Sequence, residues 1–295
     1  MASIPQIIRN ETPASTLVEG VTDLVPLPQA YVRIRDLVDD PVAELADVAD
    51  IVSQDPALTA RVLRLVNSAF VGLVDPIDSI EHAVRVLGME QIHDMALATS
   101  AVGSLSKLRG DLIDIFEFWR LSVYAGGCAQ EIAIRVNLPK PKRFFLCGLL
   151  HNVGNLIIAH EMPQAFADCR DKSIELGRPW FEMQREYLGF DYADVSAEML
   201  QRWNLPAALS QPIADHTRFV ANLNSSIRAQ TSVVSIAATT ARAAVFNSPA
   251  SEPVPDYDPN ALEVTNIDSD SIEVLMSHVD DTLNESLSVL LPDYG

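Results

Sequence analysis

Apolar positions along this chain recur at intervals of three and four, the period of a helix with one buried stripe. Leu58, Val62, Leu65 and Val66 follow the i, i+4, i+7, i+8 spacing. Phe118, Leu121, Tyr124 and Ala125 share one face of a segment running from Asp114 to Ile134, with Trp119 and Val123 beside them. Another periodic run covers Met89 to Val102. A last one, from Ser269 to Leu291, places Ile272, Leu275, Met276, Val279, Leu283, Leu287 and Leu290 at helical spacing. Phe144 to Ala159 is almost wholly apolar, which predicts a buried central helix or two helices broken near Gly154. Ile227 to Val245 is small and apolar, rich in Ala and Thr, and suits tight helix contact.

The punctuation agrees. Asp40-Pro41, Asp55-Pro56, Ser79, Pro163, Pro179 and Asp191 stand where helices should begin, because a side-chain oxygen caps free N–H groups and a missing N–H does no harm there. Gly88, Gly177 and Gly189 stand where helices should end. No stretch sustains period-2 alternation, and Asn-Gly and Asp-Gly hairpin turns are absent; Val233 to Ile236 is too short to outweigh its surroundings. The pattern predicts an all-α fold.

Residues 1–23 read as a loosely ordered lead-in of mixed polarity. The run from Gly103 to Gly110 interrupts the periodic pattern, which divides the rest into a helical subdomain over 24–106 and a second over 107–246, sharing one packed interface across the short linker. Over 247–295, a loop with Pro249, Pro253, Pro255 and Pro259 leads into an acidic helix expected to pack on the second subdomain.

Composition narrows the function classes. The 295 residues are 48% hydrophobic, enough for a sizeable core. No apolar run approaches the roughly 18–20 residues of a membrane span, and the first residues lack a basic segment followed by an apolar one, so a cytoplasmic location without membrane attachment is expected. Cys128, Cys147 and Cys169 are widely spaced with no C-x-x-C pair, which fits reduced core thiols rather than a zinc ribbon or dithiol site. The formal net charge is −19. From Ala250 onward Glu252, Asp256, Asp258, Glu263, Asp268, Asp270, Glu273, Asp280, Asp281, Glu285 and Asp293 have no Lys or Arg among them, a surface that repels phosphate backbones and argues against nucleic acid as a partner.

Val62 to Gly88 reads V-L-R-L-V-N-S-A-F-V-G-L-V-D-P-I-D-S-I-E-H-A-V-R-V-L-G. This stretch resembles the signature of the HDOD family, the HD-related output domain of bacterial signalling proteins, through Leu65, Asn67, Ser68, Ala69, Gly72, Ser79, Ile80, Ala83, Leu87 and Gly88. Leu24-Val25-Pro26-Leu27-Pro28 resembles the family's Leu-Pro opening. Gly148 to Gly154, G-L-L-H-N-V-G, resembles its degenerate HD motif. Trp203-Asn204-Leu205-Pro206 followed by His216 resembles its closing W-x-L-P and histidine element. The resemblance spans roughly Leu24 to Ala243, with several separated motifs in order. From local chemistry alone, Asn67 and Ser79 carry fold: the first bonds local backbone where a helix ends, the second caps the next helix.

The resemblance implies a degenerate relative of the metal-dependent HD phosphohydrolases. Such a site needs several His and Asp side chains to hold divalent cations that activate water. The adjacent pair here is His151-Asn152, with a neutral amide where a carboxylate would stand, and Asn155 occupies the position of the family's lysine. By the same resemblance the earlier histidine aligns near Leu121, another position that is often histidine is Tyr192, and the late aspartate falls near Ala238. Only His151 and His216 remain as candidate ligands, which predicts no catalytic residue, no bound metal and no cofactor. The plain alternative for His151 is a buried imidazole donating to a backbone carbonyl, with Asn152 and Tyr192 completing a neutral network. His82, His93, His160 and His278 lack spaced acidic or cysteine companions and read as structural or exposed.

No G-x-S-x-G, G-x-x-x-x-G-K-[ST] or G-x-G-x-x-G occurs. Asp111 with Asp114, or Asp268 with Asp270, are carboxylate pairs of a kind an acidic chain supplies by chance. Arg33, Arg35, Arg61 and Arg64 fit the polar sides of amphipathic helices. The sequence therefore points to a non-catalytic signalling module that binds a protein partner or a small regulator. The alternatives are a phosphohydrolase with an altered ligand set, and a nucleotide or metabolite sensor in the cleft between subdomains. With no receiver, kinase or cyclase segment in the sequence, regulation is expected to come from another chain.

Overall fold

The computed structural model describes residues 13–38, 40, 42–68, 71–108, 112–218, 223–245 and 253–290. Residues 1–12 of the lead-in, Pro41, Ala69, the linker residues Arg109, Gly110 and Asp111, and Pro249, Ala250, Glu252, Leu291 and Asp293 lie outside the described residues. So do the side chains of Glu273, His278, Asp280, Asp281, Leu283 and Glu285.

Among the described residues every regular element is helical. Asp55 opens α4 (Pro56–Val66) by accepting from Ala57 N and Leu58 N at 3.0 Å each, and the predicted stripe of Leu58, Val62, Leu65 and Val66 is buried. Ser79 caps α5 (Ile80–Leu87) through His82 N, and Gly88, at φ +83°, separates it from α6 (Met89–Leu105). Asp114 caps α7 (Ile115–Arg135) through Phe116 N and Glu117 N. Between α4 and α5, Asn67 clamps the loop: its amide donates to Leu63 O at 2.9 Å and Ile77 O at 2.7 Å and accepts from Ile77 N at 2.6 Å.

The apolar stretch forms the second of its two expected arrangements, helices α8 (Phe144–Leu150) and α9 (Val153–Glu161) with the break at His151-Asn152, two residues before Gly154. Three other expectations need correction. The segment placed at Asp40-Pro41 begins later, as α3 (Leu45–Ser53) capped by Glu44, after α2 (Gln29–Val38). The lead-in contains α1 (Ala14–Thr22), whose Leu17, Val18 and Val21 are buried. The proline-rich loop contains a short helix, α15 (Pro259–Thr265). Pro163 opens α10 (Pro163–Leu176), which ends at Gly177; Pro179 precedes α11 (Trp180–Leu188), which ends at Gly189; and Asp191 caps α12 (Tyr192–Arg202).

α7 and α8 form the centre. A Cβ on Gly148 would sit 2.3 Å from Ala125 O, so the two backbones touch there and only glycine fits. α14 (Ser225–Val245) lies along α7, and α16 (Ser269–Leu290) lies along α7 and α4, with Tyr124 Oη donating to Met276 O at 3.3 Å. α1 packs on α12 and α9 through the buried face of Leu17, Val18 and Val21. The two ends of the family-like region meet in space. Trp203 Nε1 donates to Val25 O at 3.1 Å, and Arg35 donates to Trp203 O at 3.1 Å. The Leu-Pro opening is also held by Ser104 Oγ, which donates to Pro26 O at 2.7 Å.

Cys128, Cys147 and Cys169 are buried free thiols. Burial pushes the thiols of Cys147 and Cys169 up to about 12, so neither is a nucleophile near neutral pH. No helix among the described residues is long and apolar enough to cross a membrane.

Candidate functional site

The break between α8 and α9 carries the first site residues. His151 follows the last residue of α8, Asn152 precedes the first of α9, and both are buried. α9 runs directly against the start of α12: a Cβ on Gly154 would lie 2.1 Å from Tyr192 O. Ser196, one turn along α12, accepts from Gly154 N at 2.8 Å and donates to His151 O at 2.9 Å. Backbone contact at a glycine and one bridging hydroxyl thus fix the turn that holds His151.

Three rings meet there. The centroids of His151 and His216 are 5.4 Å apart, those of Tyr192 and His216 are 5.6 Å apart, and those of His151 and Tyr192 are 6.4 Å apart. His216, at the end of α13 (Ala207–Asp215), lies 2.6 Å through Nδ1 from Ile213 O, and His151 Nδ1 lies 2.6 Å from Gly148 O. A carbonyl can only accept, so both Nδ1 atoms carry hydrogen and both Nε2 atoms present a lone pair. Tyr192 Oη, 3.2 Å away, donates to His216 Nε2. His151 Nε2 is buried with no hydrogen-bond partner. Burial holds the His151 imidazole well below its usual pKa, helped by His216 and Arg242, and pushes His216 down to about 4, helped by Arg242, Arg185 and Arg218.

A second set of groups forms an amide chain. Asn155 donates to Asn152 Oδ1 at 2.6 Å, Gln184 donates to Asn155 Oδ1 at 2.8 Å, and Tyr192 N donates to Gln184 Oε1 at 2.9 Å. The neutral network expected around His151 is therefore two networks: Asn152 bonds Asn155, and Tyr192 bonds His216. Beside them lies a buried charge that sequence reading treated only as a helix start. Asp191 accepts from Ala193 N, Asp194 N and Thr217 Oγ1 and pairs with Arg185 at 2.5 Å. Its carboxylate is fully satisfied, as a buried charge requires.

Of the seven positions singled out in the sequence, the structure brings His151, Tyr192 and His216 together as rings and links Asn152 to Asn155. Ala238 lines the same cavity as Tyr192 and His216, and Leu121 is a buried core residue of α7. Gln184, Ser196 and Arg242 were missed. Each sits in an ordinary helical context, and no local motif marks it.

These residues do not suit the divalent cations of an HD centre. Leu121 and Ala238 offer no donor atoms, Asn152 Oδ1 and His216 Nε2 already accept hydrogen bonds, and Asp191 is consumed by Arg185. His151 Nε2 alone remains. Among the described residues no cluster of three or more His, Cys, Asp or Glu could hold a metal. His93 is tied to Tyr31 Oη at 2.9 Å and to its neighbour Asp94 at 3.0 Å, and His160 to Glu161 at 2.9 Å, so adjacent carboxylates supply companions that the search for spaced ones missed.

A cavity of about 260 Å³ opens beside the rings, lined by Tyr192, His216, Ala238, Thr239 and Arg242 and by a strap over residues 255–259. The space between the two sequence-defined subdomains is smaller: a cavity of about 60 Å³ lined by Leu65, Gln91, Met95, Gln130 and Phe145.

The fold and motifs have counterparts. A Shewanella amazonensis SB2B structure, provisionally named a phosphohydrolase, superposes with a TM-score of 0.71 at 24% identity, covering 95% of this chain and 98% of that one. A Geobacter sulfurreducens HDOD domain protein with unknown function gives 0.70 at 21% identity, covering 94% and 97%. A Marinobacter aquaeolei VT8 structure, provisionally named a signal transduction protein, gives 0.67 at 20% identity, covering 92% of this chain and 60% of that one. At these identities the likeness is one of fold. An uncharacterized protein of Treponema pallidum (strain Nichols) is 25% identical over 211 residues, 71% of this chain but only 40% of that protein, so this chain spans less than half of its length. The HDOD domain profile matches residues 24–219, from the Leu-Pro opening past the histidine that follows W-x-L-P, and this chain therefore belongs to the HDOD domain family.

Proposed function

We propose that this chain is a non-catalytic regulatory module of signal transduction, which binds a protein partner or a small regulator and does not hydrolyse phosphoesters. The carrying observation is the filled donor set at the α8–α9 break. Where metal chemistry needs charged oxygens, this chain has Asn152 bonded to Asn155 and Tyr192 bonded to His216. Leu121, His151, Asn152, Asn155, Tyr192, His216 and Ala238 are, in this reading, the remnants of an HD centre that kept its architecture. Replacing carboxylates with amide and apolar groups lets such a centre close without stranded charge. The signal-transduction name of the Marinobacter aquaeolei protein is in keeping with that role. The division into 24–106 and 107–246 belongs to the same reading, with α15 and α16 of the acidic segment assigned to the second unit through α14 and α7.

The second reading is a phosphohydrolase with an altered ligand set, favoured by the free lone pair of His151 Nε2 and by the name of the Shewanella amazonensis protein. Elemental analysis of purified protein, followed by phosphoester turnover with manganese or iron added back, separates the two. Substoichiometric metal and no turnover support the module. Stoichiometric metal with turnover replaces it with the enzyme.

A further inference from the structure

The 260 Å³ cavity has two chemically different walls. On one side α14 contributes Ser235, Ala238, Thr239 and Arg242, spaced i, i+3, i+4, i+7 and so on a single face. Two hydroxyls and a guanidinium make that wall a donor surface; of its neighbours, Thr217 already donates to Asp191 and Arg218 is paired with Asp194. Arg242 is 3% exposed, and its guanidinium carbon lies 5.3 Å from the centroid of the Tyr192 ring. This placement over the ring holds the planar group in position at the edge of the cavity.

The opposite wall is the strap, which contributes Asp256, Tyr257 and Asp258. The strap is anchored at both sides: Tyr257 Oη lies 3.2 Å from Thr240 Oγ1, and Asp258 caps α15 by accepting from Asn260 N at 2.9 Å. Phe181, Tyr192 and Tyr257 supply aromatic surface between the walls. The volume falls just under the roughly 300 Å³ at which pockets for larger organic ligands begin, which suits one compact metabolite and excludes a dinucleotide.

We infer that this cavity binds a planar, mononucleotide-sized ligand with its anionic group toward Arg242 and the Ser235 and Thr239 hydroxyls and an N–H-bearing ring edge toward the exposed carboxylate of Asp256. A guanine nucleoside monophosphate has this chemistry. Its phosphate matches the guanidinium and hydroxyl donors, its ring matches the aromatic surface, and its N–H groups match a carboxylate. A regulatory role for that ligand rests on the reading above, whereas the binding itself does not.

The test is calorimetric titration of the full chain with guanosine 5′-monophosphate, guanosine and inorganic phosphate as separate probes. Saturable binding of the monophosphate is expected, with guanosine and phosphate each at least about tenfold weaker. Asp256 is exposed, so D256N leaves the fold intact. That variant is expected to weaken the monophosphate about tenfold while leaving phosphate binding unchanged, and R242K to weaken both. Absence of saturation up to about 5 mM monophosphate overturns the inference, as does equal binding by wild type, D256N and R242K. Phosphate binding as tightly as the monophosphate also overturns it, since the ring would then contribute nothing. No partner and no hydrolysis is measured, so failure here leaves the regulatory reading standing, and metal-dependent turnover would not touch this result.

Discussion

Acidification should destabilise this protein before its carboxylates titrate, because two imidazoles are sealed inside it without charge. His151 and His216 are buried, and both Nδ1 atoms are committed to carbonyls. In the unfolded chain each titrates near 6.5; in the folded chain His216 titrates at about 4 and His151 well below its usual value. A depressed histidine pKa means that the unfolded state binds more protons once the pH falls below 6.5, so stability rises with pH between the two values. Each such histidine costs about 1.4 kcal/mol per pH unit in that window, or about 2 kcal/mol at pH 5 relative to neutrality. His216 alone therefore removes about 2 kcal/mol, and His151 acts in the same direction, against the roughly 5–15 kcal/mol that stabilises an ordinary domain. The assay is urea unfolding at pH 7.5, 6.5, 5.5 and 5.0, followed by circular dichroism. The free energy should be nearly level above about pH 7 and should fall steeply toward pH 5. H216Q should flatten the slope measurably, leaving the part due to His151. A wild-type profile that is flat from 7.5 to 5.0 refutes the argument, since it requires imidazoles that take up protons in the folded state.

Gly154→Ala places a methyl group 2.1 Å from Tyr192 O and should cost about 3 kcal/mol or more, read as a lowered thermal midpoint; an unchanged midpoint means that α9 does not touch α12. Asn67→Ala removes three hydrogen bonds at once and should cost about 2–3 kcal/mol, with hydrogen exchange accelerated at Ile77 N and little changed in α14. Asn152→Asp buries a carboxylate beside neutral groups. Its folded pKa is raised, so its loss relative to wild type, about 2–3 kcal/mol, should be greatest near pH 8 and shrink toward pH 5. The same variant should acquire no manganese or iron in elemental analysis, because Leu121 and Ala238 still lack donors.

The sequence by itself determined the helical architecture and most helix ends, because those are local events. A 3.6-residue apolar period, an oxygen before a first turn and a glycine after a last one act within a few residues. Asp55, Ser79, Asp114, Asp191, Gly177 and Gly189 all cap the helices that their positions predict. The order of motifs was also sufficient to place the chain in its family and to show which side chains lack donor atoms. The tertiary structure alone decided what surrounds those side chains. α1 is held by contacts with α9 and α12, more than a hundred residues away, so its short apolar face of Leu17, Val18 and Val21 gains its partners only in the folded chain. The helix break near Gly154 was legible in the chain, but the contacts that hold it, α12 against Gly154 and Ser196 bridging the turn, are not contained in a linear reading. Gln184 and Arg242 join the site, and the cavity of about 260 Å³ lies under the 255–259 strap, because hydrogen bonding, charge and enclosed volume depend on distance in space and not on separation along the chain.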